Sequence, residues 1–331
     1  MEMMNALLVE EKNGKAVMAV GKTQKPKPSK HELLIKIEAT SLNRADLLQK
    51  SGKYPPPKGA SEILGLEMAG QVVGAGRSVQ NFTVGDSVFG LLPGGGYSEY
   101  CVIPESMALQ VPDSFSYEEA AAISEVFLTA YQALIWLGEL SDKQHVLIHA
   151  GASGVGTAAI QLATQLKGAT VCTTSGSKRK QNICASLGAE ININYKEQNF
   201  ADVIEAGLGK ERINLIIDFI GKPFWDQNIR LLAVDGRLVY LAMMGGATVE
   251  NMSLVPILRK RLAIKGSTLR NRTTEYKARL TQEFATNCMH LFQNGKLKPV
   301  IDSVYDWNDV ESAHQRMEQN ENAGKIVMSV V

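Results

Sequence analysis

The first third of the chain carries the hydrophobic pattern of β-strands. In the stretch ELLIKIEAT, residues 32–40, apolar and polar side chains alternate with a period of two, as they do in a strand with one buried face. Short β-branched runs follow, and glycine and proline interrupt them up to about Asp113. This punctuation predicts a compact, barrel-like β domain in place of strand–helix–strand units.

The pattern changes at about Tyr117. Residues 117–137 have the long apolar pattern of a helix, and from His145 short apolar strands alternate with helical segments. Such alternation predicts a parallel sheet with helices on both faces. After about Gly266 a polar helical segment and a terminal strand, GKIVMSVV, return the chain to the first domain.

Length and charge extend this prediction. A chain of 331 residues exceeds the usual size of one core. We predict an α/β protein with a doubly wound Rossmann sheet at residues 126–266 and a β-rich catalytic domain made of residues 1–125 and 267–331. The net charge of +1, from 35 basic and 34 acidic residues, lacks the positive excess typical of nucleic-acid-binding proteins. We therefore expect no nucleic-acid partner.

One apolar segment, residues 121–138, is long enough to suggest a membrane span. It contains polar side chains that would be costly in lipid, among them Ser124 and Glu125, so we predict a buried helix and no membrane association. The four cysteines are scattered and have no metal-ligand spacing. Reduced thiols of this kind predict a cytoplasmic protein.

The stretch HAGASGVG, residues 149–156, is a candidate dinucleotide-binding turn. It follows an apolar strand and precedes a helix, which is the context that makes such a turn credible. Gly151 is interpreted as permitting the tight turn, whereas Gly154 and Gly156 let the helix begin close to the sheet, with its N–H groups facing a pyrophosphate. Ser153 replaces one glycine of the usual pattern, and its hydroxyl can donate to a phosphate oxygen.

The residues after the second strand indicate which dinucleotide binds. An NAD site usually has an acidic residue ~20 positions beyond the turn, but no acidic residue occurs between Gly151 and Ala189. The segment TTSGSKRK, residues 173–180, supplies hydroxyls and positive charge there, which suits a 2′-phosphate. We predict NADPH as cofactor, and a solvated basic helix start is the alternative.

Several segments resemble the medium-chain dehydrogenase/reductase superfamily, in its zinc-free, zeta-crystallin-like quinone oxidoreductase branch. They include SLNRADLLQKSGKYPPPKGAS, ILGLEMAGQVVGAG, VLIHAGASGVGTAAIQLA and NAGKIV, and the likeness runs almost end to end. The resemblance implies a GroES-like catalytic domain beside the Rossmann domain, and homodimers or homotetramers paired through edge strands. Zinc-dependent members carry a cysteine and a histidine where this chain has Asn43 and Leu66, and Glu67 alone cannot bind zinc, so we predict no metal.

The resemblance also implies a set of site residues. Asn43 and Tyr54 would be the catalytic groups that line the substrate pocket, and Tyr54 would also lie near the cofactor. The implied cofactor-binding residues are Thr129, Gly151, Ser153, Gly154, Val155, Gly156, Gly176, Lys180, Tyr195, Met243, Gly245, Leu269, Asn322 and Lys325.

Structural roles are open for several of these residues. Asn43 is a good N-cap for the following helix, and Tyr54 could anchor its proline-rich loop. Thr129 could bond its own helix backbone. Met243 and its neighbour Met244 could be core filler.

These residues offer no acid–base pair, so we predict an acceptor that is already electrophilic. A quinone accepts hydride directly, and water can protonate the resulting oxyanion, while Tyr54 and Asn43 supply hydrogen bonds. Reduction of an alkenal or enone double bond is the alternative reaction. A non-catalytic NADPH-binding protein, crystallin-like or RNA-interacting, is the alternative from another class.

Overall fold

The computed structural model describes residues 2–330 and divides into two compact units. The first, here called the catalytic unit, contains the residues up to Leu128 and those from Leu269, and the second, the nucleotide unit, is Thr129–Thr268. The boundaries predicted from the sequence, at 125 and 266, are close to these positions.

The elements in chain order are as follows. The amino-terminal part contains β1 (Met3–Lys12), β2 (Lys15–Gln24), β3 (Glu32–Ser41), α1 (Arg44–Lys50), β4 (Glu67–Ala75), β5 (Ser87–Leu91), β6 (Tyr100–Pro104), β7 (Ala108–Gln110), α2 (Tyr117–Ala121) and α3 (Ser124–Tyr131). The central part contains β8 (His145–Ile148), α4 (Gly154–Lys167), β9 (Thr170–Ser175), α5 (Lys178–Ser186), β10 (Ile191–Asn194), α6 (Phe200–Leu208), β11 (Ile213–Asp218), α7 (Trp225–Leu231), β12 (Leu232–Tyr240), α8 (Val255–Lys260) and β13 (Ala263–Gly266). The carboxyl-terminal part contains α9 (Thr274–Gln293), β14 (Ile301–Asp306), α10 (Val310–Glu318) and β15 (Lys325–Ser329).

The catalytic unit is built on one sheet in the order β14-β15-β3-β4-β5-β7, with β6 also paired to β3. The period-two pattern of β3 is confirmed, because Leu33, Ile35 and Ile37 are buried on one face. The terminal strand β15 pairs antiparallel with β3 and parallel with β14. The last segment of the chain thereby completes the sheet that the first segment begins.

The nucleotide unit is a six-stranded parallel sheet in the order β10-β9-β8-β11-β12-β13. The strand order reverses at β8, which lies between β9 and β11, and ligands of doubly wound sheets bind at this point. Apolar strand residues such as Leu147, Ile216 and Leu238 are fully buried in its core. The predicted fold class, a Rossmann sheet beside a β-rich unit, is confirmed.

The apolar segment Tyr117–Leu137 is long and apolar enough to cross a membrane by composition alone. It comprises α2, α3 and a π-helical stretch, Gln132–Leu137. Because 72% of its most apolar window is buried within the protein, it has the burial of a core helix.

Candidate active site

The glycine-rich turn leaves the carboxyl end of β8, at the point where the strand order reverses. Ala150, with φ of +48°, carries the left-handed conformation of this turn, so Gly151 contributes to the turn through its missing side chain and not through a positive φ. Gly151 is required for packing, since a Cβ there would lie 2.8 Å from Thr173 Cβ and 3.0 Å from Cys184 Sγ. Absence of a side chain therefore lets the turn lie directly against β9 and α5.

Ser153 is the N-cap of α4. Its Oγ accepts a hydrogen bond from Gly156 N–H at 3.1 Å, which leaves the hydroxyl hydrogen able to donate to a ligand. A Cβ on Gly156 would lie 2.6 Å from the Gly151 carbonyl oxygen, so the predicted close start of the helix is present. The helix ends at Lys167, and Gly168, with φ of +53°, is its C-cap residue.

The end of β9 has the features expected around a phosphate. Ser175 is buried, and its Oγ has no hydrogen-bond partner within residues 2–330. A Cβ on Gly176 would lie 3.2 Å from Tyr195 Oη, so these two predicted residues are neighbours. Lys180 lies in the first turn of α5, whose N-cap Ser177 accepts from Lys180 N–H at 3.4 Å. An unpartnered buried hydroxyl, a glycine opening and basic side chains fit the ribose phosphate of a dinucleotide.

A second loop of the nucleotide unit presents the predicted Met243 and Gly245. Gly245 N–H donates to Ile220 O at 2.8 Å, so the loop after β12 packs on the loop after β11. Met243 and Met244 are 46% and 53% exposed, and the alternative of core filler is therefore wrong for both. Thr129 is half-buried in α3, between the buried Leu128 and Ala130.

Sequence reasoning missed a buried hydrogen-bond chain in the nucleotide unit. His149 accepts or donates at both ring nitrogens, with Nδ1 2.9 Å from Thr174 Oγ1 and Nε2 2.8 Å from Asn228 Oδ1. Asn228 Nδ2 donates to Asp218 Oδ2 at 2.8 Å, and Asp218 Oδ1 accepts from Gly221 N–H at 3.1 Å. Burial lowers the pKa of His149 and keeps the ring neutral at pH 7. The chain holds the β11 loop in place, and Asp218, at the end of an apolar strand, was the visible clue to it.

In the catalytic unit the predicted residues Asn43 and Lys325 meet at Glu67, which is fully buried. Glu67 Oε1 accepts from Ser41 Oγ at 2.6 Å, Asn43 Nδ2 at 2.8 Å and Lys325 Nζ at 2.9 Å. Lys325 Nζ also donates to Asn43 Oδ1 at 2.8 Å. Both polar ends of the Asn43 amide are thus bonded within the unit, and this arrangement favours a structural role for Asn43 and Lys325.

Asn43 also occupies the helix-capping position, but the bond there is donated by its backbone N–H and not accepted by its side chain. Asn43 is the N-cap residue of α1, and its N–H donates to Asp46 Oδ2 at 2.7 Å. Asn322, also predicted near the cofactor, donates through Nδ2 to Gly324 O at 2.8 Å, in the turn before β15.

The donor set around Glu67 does not fit zinc. Glu67 is bonded to the Asn43 amide and to the Lys325 ammonium, and its preceding residue is the aliphatic Leu66, so neither a thiolate nor an imidazole of the described chain stands beside the carboxylate. Within residues 2–330 no group of three or more His, Cys, Asp or Glu side chains could share a metal ion.

Tyr54 lies half-buried beside a cation that sequence reasoning missed. The Arg270 guanidinium carbon is 5.4 Å from the centre of the Tyr54 ring, within the range of a cation–π contact. Burial raises the pKa of the Tyr54 phenol, and the charge of Arg270 opposes that rise. The preceding residue, Leu269, is buried. The only signal for Arg270 in the sequence was its place next to Leu269.

Comparisons with known proteins agree with this architecture. Residues 29–113 match the family described as "Alcohol dehydrogenase GroES-like domain", and residues 154–286 match the family described as "Zinc-binding dehydrogenase". A quinone oxidoreductase of Lama guanicoe is 30% identical over 329 residues, 98% of this chain and 97% of that protein.

Two solved structures show the same fold over nearly the whole chain. CurK enoyl reductase has a TM-score of 0.85 and 26% identity, covering 98% of this chain and 99% of that one. The mycobacterial protein Rv1454c complexed with NADPH has a TM-score of 0.85 and 28% identity, covering 99% of this chain and 100% of that one.

A nucleotide-binding Rossmann unit combined with a GroES-like unit defines an oxidoreductase of the medium-chain type. The chain belongs to the medium-chain dehydrogenase/reductase superfamily and has quinone oxidoreductases as homologues over nearly its full length. The resemblance seen in the sequence is confirmed at this level, and assignment to the zinc-free branch stays a prediction.

Proposed function

We propose that the protein is an NADPH-dependent quinone reductase that works without a metal ion. The observation that carries the choice of cofactor is the end of β9, where no carboxylate follows the strand and Ser175 Oγ is buried without a partner in the described chain. A carboxylate there would repel a 2′-phosphate, whereas hydroxyls and cations attract it. A structural relative of similar length is complexed with NADPH.

The chain offers a separate group for each part of the dinucleotide. The first turn of α4, from Ser153 to Gly156, would hold the pyrophosphate with backbone N–H groups. Gly176, Lys180 and Tyr195 would surround the adenosine phosphate, and the Met243–Gly245 loop would border the nicotinamide. When bound, the reduced nicotinamide supplies a hydride.

The substrate side requires a donor for the negative charge that develops on a quinone oxygen. Tyr54 is the candidate, because its half-buried phenol lies beside the Arg270 guanidinium and carries a hydroxyl that can donate. Asn43 contributes indirectly, since its amide is bonded to Glu67 and Lys325. Water can supply the proton that completes the hydroquinone.

The proposal is tested by the consumption of NADPH and NADH against a panel of quinones and enones. We expect NADPH to be preferred, quinones to be reduced faster than enones, and a chelator to have no effect. Tyr54→Phe should lower quinone turnover about tenfold while the Kd for NADPH stays the same. Loss of activity on adding a chelator would contradict the metal-free mechanism. Unchanged turnover in Tyr54→Phe would contradict the role of Tyr54.

Reduction of an activated double bond is the second candidate. The likeness to an enoyl reductase favours it, and the same cofactor groups would serve. Faster consumption of NADPH with an alkenal than with a quinone would replace the first proposal with this one. Tight NADPH binding without oxidation by any acceptor would support a non-catalytic binding protein.

We also propose that the nucleotide unit forms a dimer through β13. This strand is at the edge of the sheet, and Ile264 on it is 37% exposed. The adjacent helix α8 exposes Val255 and Leu258, at 67% and 82%, and exposed edges and apolar patches of this kind are typical of interfaces. Ile264→Lys should shift the protein to monomers in analytical ultracentrifugation, whereas Val84→Lys in the catalytic unit should not.

A further inference from the structure

The catalytic unit contains a buried arginine whose charge is not paired with a carboxylate. Arg270 is 7% exposed, and within residues 2–330 it forms no ion pair. Its Nε donates to Pro93 O at 2.9 Å and its Nη2 to Gln49 Oε1 at 2.7 Å, both neutral acceptors. Its Nη1 is buried and has no partner in that range. A buried guanidinium held only by neutral acceptors is costly to keep.

A second cation lies beside it. Lys277, on α9, is 6% exposed, and its Nζ donates to the Arg270 carbonyl oxygen at 3.3 Å. Burial lowers the pKa of both cations; for Lys277 the charge of Glu125 opposes this shift and the charge of Arg270 adds to it. The charges of Asp46 and Glu125 also act on Arg270 and oppose the lowering of its pKa. The guanidinium charge is therefore not neutralised by direct contact with a carboxylate in the described chain.

The guanidinium is held rigidly and faces Tyr54. Gln49, which accepts from Arg270, donates through its own Nε2 to Glu62 O at 2.9 Å. Arg270 thus ties the end of α1 and the loop at Pro93 to one position, with the guanidinium carbon 5.4 Å from the Tyr54 ring centre. A planar, permanently charged group on a fixed frame is suited to orienting an aromatic ring.

We propose that Arg270 is a positioning residue for quinone reduction, which holds the Tyr54 ring and places positive charge behind it. With that charge present, the Tyr54 hydroxyl donates more strongly to an acceptor oxygen that becomes negative as it receives hydride. Lys277 adds to the same field, and no covalent step involves either cation. This inference rests on the proposed function, because it assigns Arg270 a role through Tyr54.

The test is a double-mutant cycle on kcat for a quinone, using Arg270→Met and Tyr54→Phe. Arg270→Met should lower kcat about tenfold and leave the Kd for NADPH unchanged. In the Tyr54→Phe protein the same substitution should change kcat by less than about twofold, since its effect passes through the phenol. Arg270→Lys should restore part of the activity, because it keeps the charge but not the planar group.

Arg279→Met is the matched control, because Arg279 also lies over a tyrosine ring, 6.0 Å from the centre of Tyr276, but is exposed. It should leave kcat unchanged. If Arg270→Met lowers kcat by the same factor with and without the Tyr54 hydroxyl, Arg270 acts independently of Tyr54 and the inference is overturned.

A titration of phenolate absorbance gives a readout that does not depend on any acceptor. The Tyr54 signal is the difference between proteins with Tyr54 and with Phe at this position, and Arg270→Met should raise its pKa. An unchanged pKa would overturn the inference even if kcat falls. Failure of the wild-type protein to oxidise NADPH with any quinone would reject the proposed function instead. The titration would still show whether the Arg270 charge acts on the Tyr54 hydroxyl.

Discussion

The two proposed sites, one in each unit, differ in the burial of their cations. The catalytic unit buries charged side chains. Glu67 and Lys325 form an ion pair there, whereas Arg270 forms no ion pair with a carboxylate in the described chain. The nucleotide unit leaves the cations near its proposed phosphate site, Lys178 and Arg179, exposed to solvent. Ser175 and His149 are buried there without a hydrogen bond to a cation within residues 2–330, and the hydrogen-bond chain from His149 ends at the buried Asp218.

The difference follows from the charge that each ligand would bring. A dinucleotide phosphate carries permanent negative charge, which solvated cations attract without being buried. A quinone becomes negative only as it is reduced, so charge that stabilises it has to be fixed beforehand in a region of low dielectric. Substitutions of buried charges should therefore have larger effects than substitutions of exposed charges.

The largest expected effect is at the buried pair. Glu67→Gln leaves the Lys325 ammonium buried without a counter-charge, and should lower the free energy of unfolding by about 3–5 kcal/mol in urea. Adding Lys325→Met should recover most of that loss. The exposed pair Lys36–Glu38 is the control, and Glu38→Gln should cost less than about 1 kcal/mol. Equal losses at Glu67 and Glu38 would show that burial does not matter here.

The next effect concerns His314 in the catalytic unit. Burial, and secondarily the charge of Lys50, lowers the pKa of His314 to about 4, against the opposing charge of Glu311. His314 therefore contributes stability above its unfolded pKa near 6.5, and that contribution, up to about 3 kcal/mol, is lost as the pH falls from 6.5 towards 4.

Asp46 acts in the opposite direction through the same hydrogen-bond chain. Tyr97 Oη lies 3.2 Å from Asp46 Oδ2 and 3.3 Å from His314 Nε2. Burial raises the pKa of Asp46 to about 6, so the folded protein gains stability as the pH falls from 6 towards 4. His314→Gln should leave only this second effect. Thermal melts should then show a smaller loss, or a gain, between pH 6.5 and pH 4.5, and the same acid loss as in the wild type would contradict the assignment.

A smaller effect is expected in the nucleotide unit. Lys180→Gln should raise the Kd for NADPH about tenfold and leave that for NADH unchanged, because only NADPH carries the 2′-phosphate. The difference should shrink with added salt, as expected for partly solvated charge. Lys167→Gln, at the other end of α4, is the control. An equal loss of affinity for NADPH and NADH would show that Lys180 does not contact the 2′-phosphate.

The smallest effect belongs to the neutral cap of α4. Ser153→Ala removes the acceptor for Gly156 N–H and should lower the free energy of unfolding by about 1 kcal/mol, whereas Ser153→Gly should cost only a few tenths. The alanine variant should also bind either dinucleotide more weakly in a fluorescence titration. Unchanged binding would show that Ser153 only caps the helix and does not contact the dinucleotide.

The sequence by itself determined the local features of this protein. The period-two pattern of β3, the helix from Ser153 to Gly168 and the carboxylate-free end of β9 are all present in the structure, because each depends on residues a few positions apart. Strand and helix periodicities and helix caps arise from backbone geometry, which neighbouring residues are enough to specify.

Tertiary structure alone decided which charges meet. Lys325 reaches Glu67 across 258 positions of the chain, and Arg270 reaches Gln49 across 221. These contacts bring Asn43 and Lys325 together at Glu67 and place Arg270 beside Tyr54. A charge carries no periodicity that indicates its partner, and its pairing depends on burial and distance in the folded chain, so no local pattern could have predicted it.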